Sequence, residues 1–204
     1  PDSLDPIFWL RFDDYGLSDN TAITTATDLS GNGNDWTQAT AGNRPIYKTN
    51  IINGRGVARF DGSDDHFDGP NLSSLTASEI FIVIKIDTDP PAAQAQTGLW
   101  DFSEADSSNT HFPFDGDSQI YDSFGTTTRR TVGDPVPLLT SFRLYNVVSI
   151  SGEWTARLDG TQLFTSGTNT VTFIAAPTLG ISRTSEALDG DLAEVILFNR
   201  KLEA

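Results

Sequence analysis

The chain has 204 residues, a length that suits one domain and is short for two. Its 13 Lys and Arg residues against 28 Asp and Glu residues give a formal net charge of −15, which disfavours binding to nucleic acid and to anionic lipid. The absence of cysteine excludes disulfides and thiolate metal sites, and no apolar run approaches the roughly 20 residues of a membrane-spanning helix, so we expect no membrane insertion.

Short apolar alternations separated by Gly, Asp, Asn and Pro run through the first half, which is typical of strands joined by turns. The predicted strands there are residues 6–12, 55–61, 78–87 and 97–103. The third is the strongest, because Ile80, Ile82, Ile84 and Ile86 all lie on one face.

The second half continues the pattern. The predicted strands there are residues 118–124, 126–132, 142–150, 153–158, 162–164, 177–182 and 191–198. Gly125 separates the first two, and Asp159-Gly160, a strong hairpin-turn dipeptide, separates the fourth and fifth. No segment predicts a helix. Because each sheet must cover its apolar face, we expect an all-β protein with two stacked antiparallel sheets.

Three segments together resemble one family. They are residues 28–35 (DLSGNGND), 53–65 (NGRGVARFDGSDD) and 190–202 (GDLAEVILFNRKL). In this order they are similar to laminin-G-like domains of the concanavalin A-like lectin/glucanase superfamily. The resemblance covers nearly the whole chain and implies a single domain, residues 1–204. It also implies a jelly-roll sandwich whose last strand returns to pair near the first.

The middle of the chain resembles a narrower group. Residues 111–116 (HFPFDG), 120–125 (IYDSFG) and 151–154 (SGEW) look like laminin-G-like domains of tailed-phage structural proteins. The resemblance implies a module on a tail, fibre or capsid surface, and hence a virion-surface or extracellular location. Because the chain begins with Pro1 and contains no Met, we expect it to be excised or processed from a longer protein.

The candidate catalytic residues do not complete a site. Glycanases of this fold carry Glu-x-Asp-x-x-Glu, and the nearest match here is Glu104 and Asp106 followed by Asn109. Asn109 cannot replace a carboxyl group as proton donor. His66 and His111 have no partners that form a nucleophile–base–acid triad. We therefore expect a protein that is not an enzyme.

A calcium site is implied by the resemblance. Related domains often hold one structural Ca²⁺ between this Asn/Gly-rich loop and an acid of the last strand, which here assigns Asp28, Asn32, Asn34 and Glu194. Relatives often have Asp before that last acid, whereas this chain has Ala193. The alternative is that Asp28 and the asparagines only cap turns through their own hydrogen bonds, and that Glu194 pairs with Arg200 or another Arg.

The aromatic residues give a second candidate site. Sugar C–H groups stack on aromatic rings, while Asp and Asn bind hydroxyl groups. The candidate glycan-binding residues are Trp36, Trp100, His111, Tyr121 and Asp122, which follow the Asn/Gly loop or belong to the middle block. The alternative for each Trp is packing in the core. The net charge of −15 favours a neutral glycan over a polyanionic one.

The leading hypothesis is a non-catalytic binding or structural module that contacts cell-surface carbohydrate or neighbouring domains of its parent protein. One alternative is a purely architectural decoration domain without a ligand. Another is the accessory module of a polysaccharide-degrading enzyme. Flanking sequence would separate the enzyme module from the other two, because this fold by itself supports all three roles.

Overall fold

A computed structural model of the chain describes residues 4–13, 15–89, 97–103, 110–114, 116–182 and 186–203. In these ranges the chain forms eighteen strands and a short 3-10 turn at Ala41–Asn43. No helix within them is long and apolar enough to span a bilayer.

The first nine strands are β1 (Phe8–Arg11), β2 (Thr21–Ala22), β3 (Thr25–Ala26), β4 (Trp36–Thr37), β5 (Ile46–Ile52), β6 (Arg55–Asp61), β7 (Phe67–Asp68), β8 (Ala77–Ile86) and β9 (Trp100–Asp101). The remaining nine are β10 (Ile120–Asp122), β11 (Arg130–Gly133), β12 (Arg143–Ile150), β13 (Glu153–Leu158), β14 (Thr161–Ser166), β15 (Thr178–Leu179), β16 (Ile181–Ser182), β17 (Glu186–Ala187) and β18 (Asp189–Phe198).

Nine strands form what we call the large sheet, in the order β14-β13-β12-β8-β18-β6-β5-β2, with β1 also paired to β18. All of these pairings are antiparallel. The last strand therefore pairs with the first, and Phe8 lies opposite Leu197. This confirms the closure that the resemblance implies.

The second layer, which we call the small sheet, has the order β3-β4-β7-β15-β9. Two antiparallel hairpins, β10-β11 and β16-β17, accompany it. Single-residue bridges connect His111 to Gly98 on one side and to Tyr121 on the other. These bridges place the β10-β11 hairpin beyond the β9 edge of the small sheet.

The hydrophobic core lies between the two sheets. Aromatic rings meet across the gap: Phe8 contacts Trp36 at 5.2 Å, and Phe60 contacts Phe67 at 6.0 Å between ring centroids. The four predicted isoleucines of β8 all face this core and are at most 1% exposed. Each such buried side chain contributes about 1.5–3 kcal/mol to stability. The protein is thus an all-β antiparallel jelly-roll sandwich, as predicted.

Two differences from the predicted strands have clear causes. The sequence pattern does not predict β5, because Lys48, Thr49 and Asn50 interrupt its apolar alternation. The strand absorbs them in a bulge, where Asn50 adopts a positive φ of 57°. The predicted strand at residues 97–103 is wrong in length, since regular pairing there is limited to β9.

Candidate functional site

The loop predicted to bind calcium is organised around Asp28. Its Oδ1 accepts hydrogen bonds from the backbone N–H groups of Trp9 and Ser30, both at 2.9 Å. Its Oδ2 accepts from the Ser30 hydroxyl at 2.7 Å and from the Asn34 N–H at 2.9 Å. Burial raises the pKa of Asp28, but these hydrogen bonds outweigh burial and lower it below its ordinary value. The carboxylate is thus fully engaged by the chain itself.

The two asparagines of this loop tie it to the residues that lead into β1. Asn32 donates through Nδ2 to the carbonyl of Pro6 at 2.8 Å, and Asn34 donates to the carbonyl of Ile7 at 2.8 Å. Both side chains therefore act as braces between the loop and the first strand. These hydrogen bonds match the alternative to a calcium site, in which the side chains of the loop bind the protein's own backbone.

Glu194 lies in β18, opposite Arg11 of β1. It accepts a hydrogen bond of 2.6 Å from the indole Nε1–H of Trp9. Glu194 therefore binds the side chain of Trp9, whereas Asp28 binds the backbone N–H of Trp9. Among the described residues, no group of potential metal ligands contains either carboxylate. The residues predicted to bind calcium do not fit that ion, because the Asp28 acceptors are already occupied.

Two of the predicted glycan-binding residues lie in the core. Trp36 and Trp100 are both 0% exposed, and each ring packs against Phe102. A buried ring cannot present its face to a sugar, so the stacking role predicted for both tryptophans is corrected. Both tryptophans instead pack in the core, which is the alternative given for them in the sequence analysis.

Asp122 is likewise fully buried, beneath the end of β10. Its Oδ1 accepts from Trp100 Nε1 at 3.0 Å and from the Phe124 N–H at 2.7 Å, and its Oδ2 accepts from the Tyr145 hydroxyl at 2.8 Å. Burial raises its pKa, against the lowering effect of these hydrogen bonds. The prediction that Asp122 binds a sugar hydroxyl is therefore corrected, because it links β10 to β12 inside the core.

The other two predicted glycan-binding residues do come together at the edge of the small sheet. The rings of His111 and Tyr121 lie 6.0 Å apart, and Phe114 contacts both, at 4.9 Å and 5.9 Å. We call these three residues the edge cluster. His111 is buried, while Tyr121 and Phe114 are partly exposed. The cluster therefore offers an aromatic surface to solvent through Tyr121 and Phe114.

Tyr121 is held from two sides. Its hydroxyl donates to Asp117 at 2.7 Å, and the guanidinium of Arg129 lies 4.9 Å from the ring centre. His111 lies 3.6 Å from a carboxylate oxygen of Glu186. The hydrogen bond and the charge of Asp117, together with burial, raise the pKa of Tyr121. Charged and hydrogen-bonding groups thus surround the edge cluster.

A row of polar side chains crosses the outer face of the small sheet, and the sequence analysis missed it. Neighbouring strands pair these residues in one continuous register, which we call the front row: Thr25, Thr37, Asp68, Thr178 and Asp101. All five are at least partly exposed, and the chain neighbour of each on its own strand is buried. With about 4.8 Å between strands, the row is about 19 Å long.

The sequence does carry a weak signal for the front row. Trp36-Thr37, Phe67-Asp68 and Trp100-Asp101 each place a polar residue directly after a large aromatic one. In a strand, such neighbours point to opposite faces. Strands of two residues are too short to show a repeat, so the pattern becomes visible only once they are paired. The carboxylates Glu104 and Asp106 lie outside the described residues.

No protein-family model matches this chain, and no curated protein sequence matches it significantly. Solved structures do match. Trypanosoma rangeli sialidase in complex with the inhibitor DANA superposes with a TM-score of 0.65 at 14% identity, over 97% of this chain and 31% of the sialidase chain. Domain 4 of AbnA, a GH43 extracellular arabinanase from Geobacillus stearothermophilus, was solved with arabinotriose. It superposes with a TM-score of 0.63 at 14% identity, over 91% of this chain and 96% of that domain.

A third similar structure is a GH54 α-L-arabinofuranosidase, with a TM-score of 0.59 and 16% identity over 89% of this chain and 48% of that one. This chain spans about a third of the length of the sialidase chains that it matches, at 31% coverage. At these identities the similarity establishes the fold, an antiparallel β-sandwich shared with carbohydrate-active proteins.

Proposed function

We propose that this chain is a non-catalytic carbohydrate-binding module and that the front row, together with the edge cluster, contacts a neutral glycan. The observation that carries the proposal is the alignment of hydroxyl and carboxylate side chains in one register across five strands of an exposed sheet face. A sugar hydroxyl both donates and accepts hydrogen bonds, so it matches a row that sets Thr hydroxyls beside Asp carboxylates. The Thr178 hydroxyl donates to the carbonyl of Ile181 at 2.9 Å and therefore serves as an acceptor in this row.

Aromatic surface lies beyond the β9 end of the front row. Tyr121 and Phe114 belong to the segment that is bridged through His111 to Gly98, just before β9. A partly exposed ring at the end of a polar row suits the apolar face of a sugar, because aromatic rings contribute large contact area at low entropic cost. A neutral glycan fits best, since the net charge of −15 opposes a polyanion.

The structural neighbours supply the first ligand to test. Domain 4 of AbnA matches 91% of this chain over 96% of its own length and was solved with arabinotriose. A module of similar size and fold thus binds a short neutral oligosaccharide. The same neighbour favours a second candidate role, the accessory module of a polysaccharide-degrading enzyme, over an architectural domain without ligand. In either role we propose a location outside the cell or on a virion surface.

Isothermal titration calorimetry with arabinotriose, and with cello-, xylo- and galacto-oligosaccharides, tests the proposal. We expect Asp68→Ala, Asp101→Ala and Tyr121→Ala each to weaken binding by about tenfold or more, because each removes a charged hydrogen-bond acceptor or a ring contact. Thr161→Ala, an exposed change on β14 of the large sheet, is the matched control and should bind like the wild type.

Two results would contradict the proposal. A wild-type protein that binds none of these oligosaccharides would favour the architectural role. Release of reducing sugar from arabinan by the purified chain would contradict the non-catalytic part. Thermal melting of each variant shows whether weakened binding reflects a lost contact or a lost fold.

A further inference from the structure

The pairing of β18 creates a fork in the large sheet. One edge of β18 pairs with β8 along its length. The other edge pairs with β6 from Asp189 to Leu192 and with β1 from Glu194 to Leu197. The register shifts between Leu192 and Glu194, so Ala193 lies at the point of the fork. The end of β1 and the turn between β5 and β6 diverge from this point.

A cavity of about 360 Å³ opens at the fork, and we call it the fork cavity. Its lining includes Val83, Ala193 and Ile52, which provide apolar surface. Val83 is partly exposed, while its neighbours Ile82 and Ile84 face the core. The fork cavity therefore lies on the outer face of the large sheet, on the opposite side of the sandwich from the front row.

Two arginines hold one carboxylate at the wall of the fork cavity. Asp13 Oδ1 lies 2.5 Å from Arg11 Nε, and its Oδ2 contacts the guanidinium of Arg55, the first residue of β6. The arginine side chains remain 40% and 65% exposed, whereas that of Asp13 is 10% exposed. Each guanidinium has five N–H donors and uses few of them on Asp13, so donors remain for a ligand.

Residues of β1 also hold a second carboxylate, that of Glu194. Trp9 donates its indole Nε1–H to Glu194 Oε1 at 2.6 Å, and the guanidinium of Arg11 lies 5.1 Å from the centre of the Trp9 ring. One indole thus positions both an acceptor, Glu194, and a donor, Arg11. These side chains are oriented before any ligand arrives, which lowers the entropic cost of binding.

The charges of the fork cavity select its ligand. Arg11 and Arg55 balance Asp13 and Glu194, so the lining charges cancel. The attraction of an anion to the guanidiniums is opposed by its repulsion from the carboxylates, and the reverse holds for a cation, so neither gains a net electrostatic advantage. Fixed donors beside fixed acceptors, above a small apolar floor, match a group whose hydroxyls do both. We propose that the fork cavity binds one neutral sugar residue through a pair of neighbouring hydroxyl groups.

This site is separate from the front row and does not depend on it. Two sugar sites on opposite faces of one module would allow it to bridge two glycan chains, or two parts of one chain. Linked weak sites bind together far more tightly than either alone when the geometry allows both to engage. A monosaccharide in the fork cavity alone should therefore bind weakly, in the millimolar range.

The indole resonances of ¹⁵N-labelled protein give a direct test. The chain has four Trp residues, and Trp9→Phe identifies the Nε1–H signal that reports on Glu194. We expect titration with L-arabinose, D-galactose or D-glucose to shift the Trp9 signal of the wild type with a millimolar midpoint. Trp36, Trp100 and Trp154 are fully buried in the core, so their signals should stay in place.

Variants then locate the effect. Arg55→Ala and Glu194→Gln should each weaken the Trp9 titration by about tenfold or more. Arg143→Ala, which removes another arginine paired with an Asp, at 3.2 Å from Asp159, is the matched control and should leave it unchanged. Asp68→Ala, in the front row, should also leave the Trp9 titration unchanged, so that loss of binding at the front row can be distinguished from loss of binding at the fork cavity.

Three outcomes would overturn the proposal. In the first, the Trp9 signal stays fixed with all three sugars up to the solubility limit of the titration. In the second, the signal moves only with D-glucuronate or only with D-glucosamine, which would replace a neutral ligand by an ionic one. Finally, Arg55→Ala and Glu194→Gln could both titrate like the wild type while remaining folded, which would place the ligand elsewhere.

Discussion

The hydroxyl of Tyr145 donates a hydrogen bond of 2.8 Å to Oδ2 of Asp122, and both side chains are 0% exposed. Tyr145 belongs to β12 of the large sheet, and Asp122 ends β10 beside the small sheet. Burial raises the pKa of the Tyr145 hydroxyl well above its ordinary value, and the nearby Asp122 adds to this. The hydroxyl therefore stays protonated and remains a donor at all ordinary pH values.

Removal of this carboxyl group should be costly. Asp122→Ala leaves the Trp100 indole, the Tyr145 hydroxyl and the Phe124 N–H without their acceptor in the core. We expect a loss of about 3–5 kcal/mol in the free energy of unfolding, measured by urea denaturation. Tyr145→Phe removes one donor and should cost about 1–2 kcal/mol. Equal, small losses of unfolding free energy in both variants would show that the hydrogen bonds of Asp122 do not act together as one network.

The Asp28 loop should stabilise the fold without calcium. Asp28→Ala removes an acceptor of four hydrogen bonds and should cost about 2–4 kcal/mol, with or without the ion. Asn32→Ala, which loses one side-chain brace, should cost about 1 kcal/mol. The wild type should melt at the same temperature in millimolar Ca²⁺ and in excess chelator. A rise of several degrees that requires both Ca²⁺ and Asp28 would restore the metal site.

Asp65 should make the protein less stable as the pH rises. Burial, followed by the charge of Asp61, raises its pKa from 3.8 to about 6. Between these values the native state holds a proton that the unfolded state has lost, so the free energy of unfolding falls from about pH 4 to about pH 6. Asp28 changes the free energy of unfolding in the opposite direction. Its pKa is lowered in the folded state, so its stabilising effect is lost as the pH falls.

Asp65→Asn should therefore flatten this part of the pH profile. We expect about 1–2 kcal/mol of added stability at pH 7 and little change below about pH 4, after allowance for solvent screening. Urea denaturation at a series of pH values measures it. Asp134→Asn changes an exposed residue and is the control. A variant whose stability differs from the wild type by the same amount at pH 4 and pH 7 would contradict this assignment.

Gly98 should not tolerate a side chain. A Cβ there would lie 2.0 Å from the carbonyl oxygen of Glu186 and 2.7 Å from the backbone nitrogen of Ser182. Because both are backbone atoms, Gly98→Ala should cost about 2–3 kcal/mol, or roughly 5–10 °C in melting temperature. A Cβ at Gly42 meets nothing within 4 Å, so Gly42→Ala should melt like the wild type or slightly higher. Similar melting of both variants would contradict the close approach.

Long elements of this fold could be predicted because their pattern repeats within one stretch of chain. The four isoleucines of β8 occupy every second position from Ile80 to Ile86, and the structure buries all of them. The Asp159-Gly160 turn is equally local. Both residues have positive φ, 50° and 80°, as a two-residue hairpin turn requires. The strand β6, Arg55–Asp61, also has the predicted bounds.

The candidate sites could not be predicted in the same way. In the sequence, Trp36 and Trp100 look the same whether they face a sugar or the core. Their rings lie in the core because they pack against Phe8 and Tyr145 of the opposing large sheet. Asp122 looks like a surface acid in the sequence, but Trp100 and Tyr145, from distant parts of the chain, supply the donors that allow its burial.

By itself, the sequence determined the all-β class, the long central strands and the Asp159-Gly160 hairpin turn, whereas the return of the last strand to the first was implied only by the family resemblance. Only the tertiary structure decided where polar groups meet. The front row needs the register of five short strands, and the fork cavity needs a shift at Ala193 within β18. The physical reason is that side-chain alternation is a local property of one strand, whereas register is fixed by pairing between strands far apart in sequence.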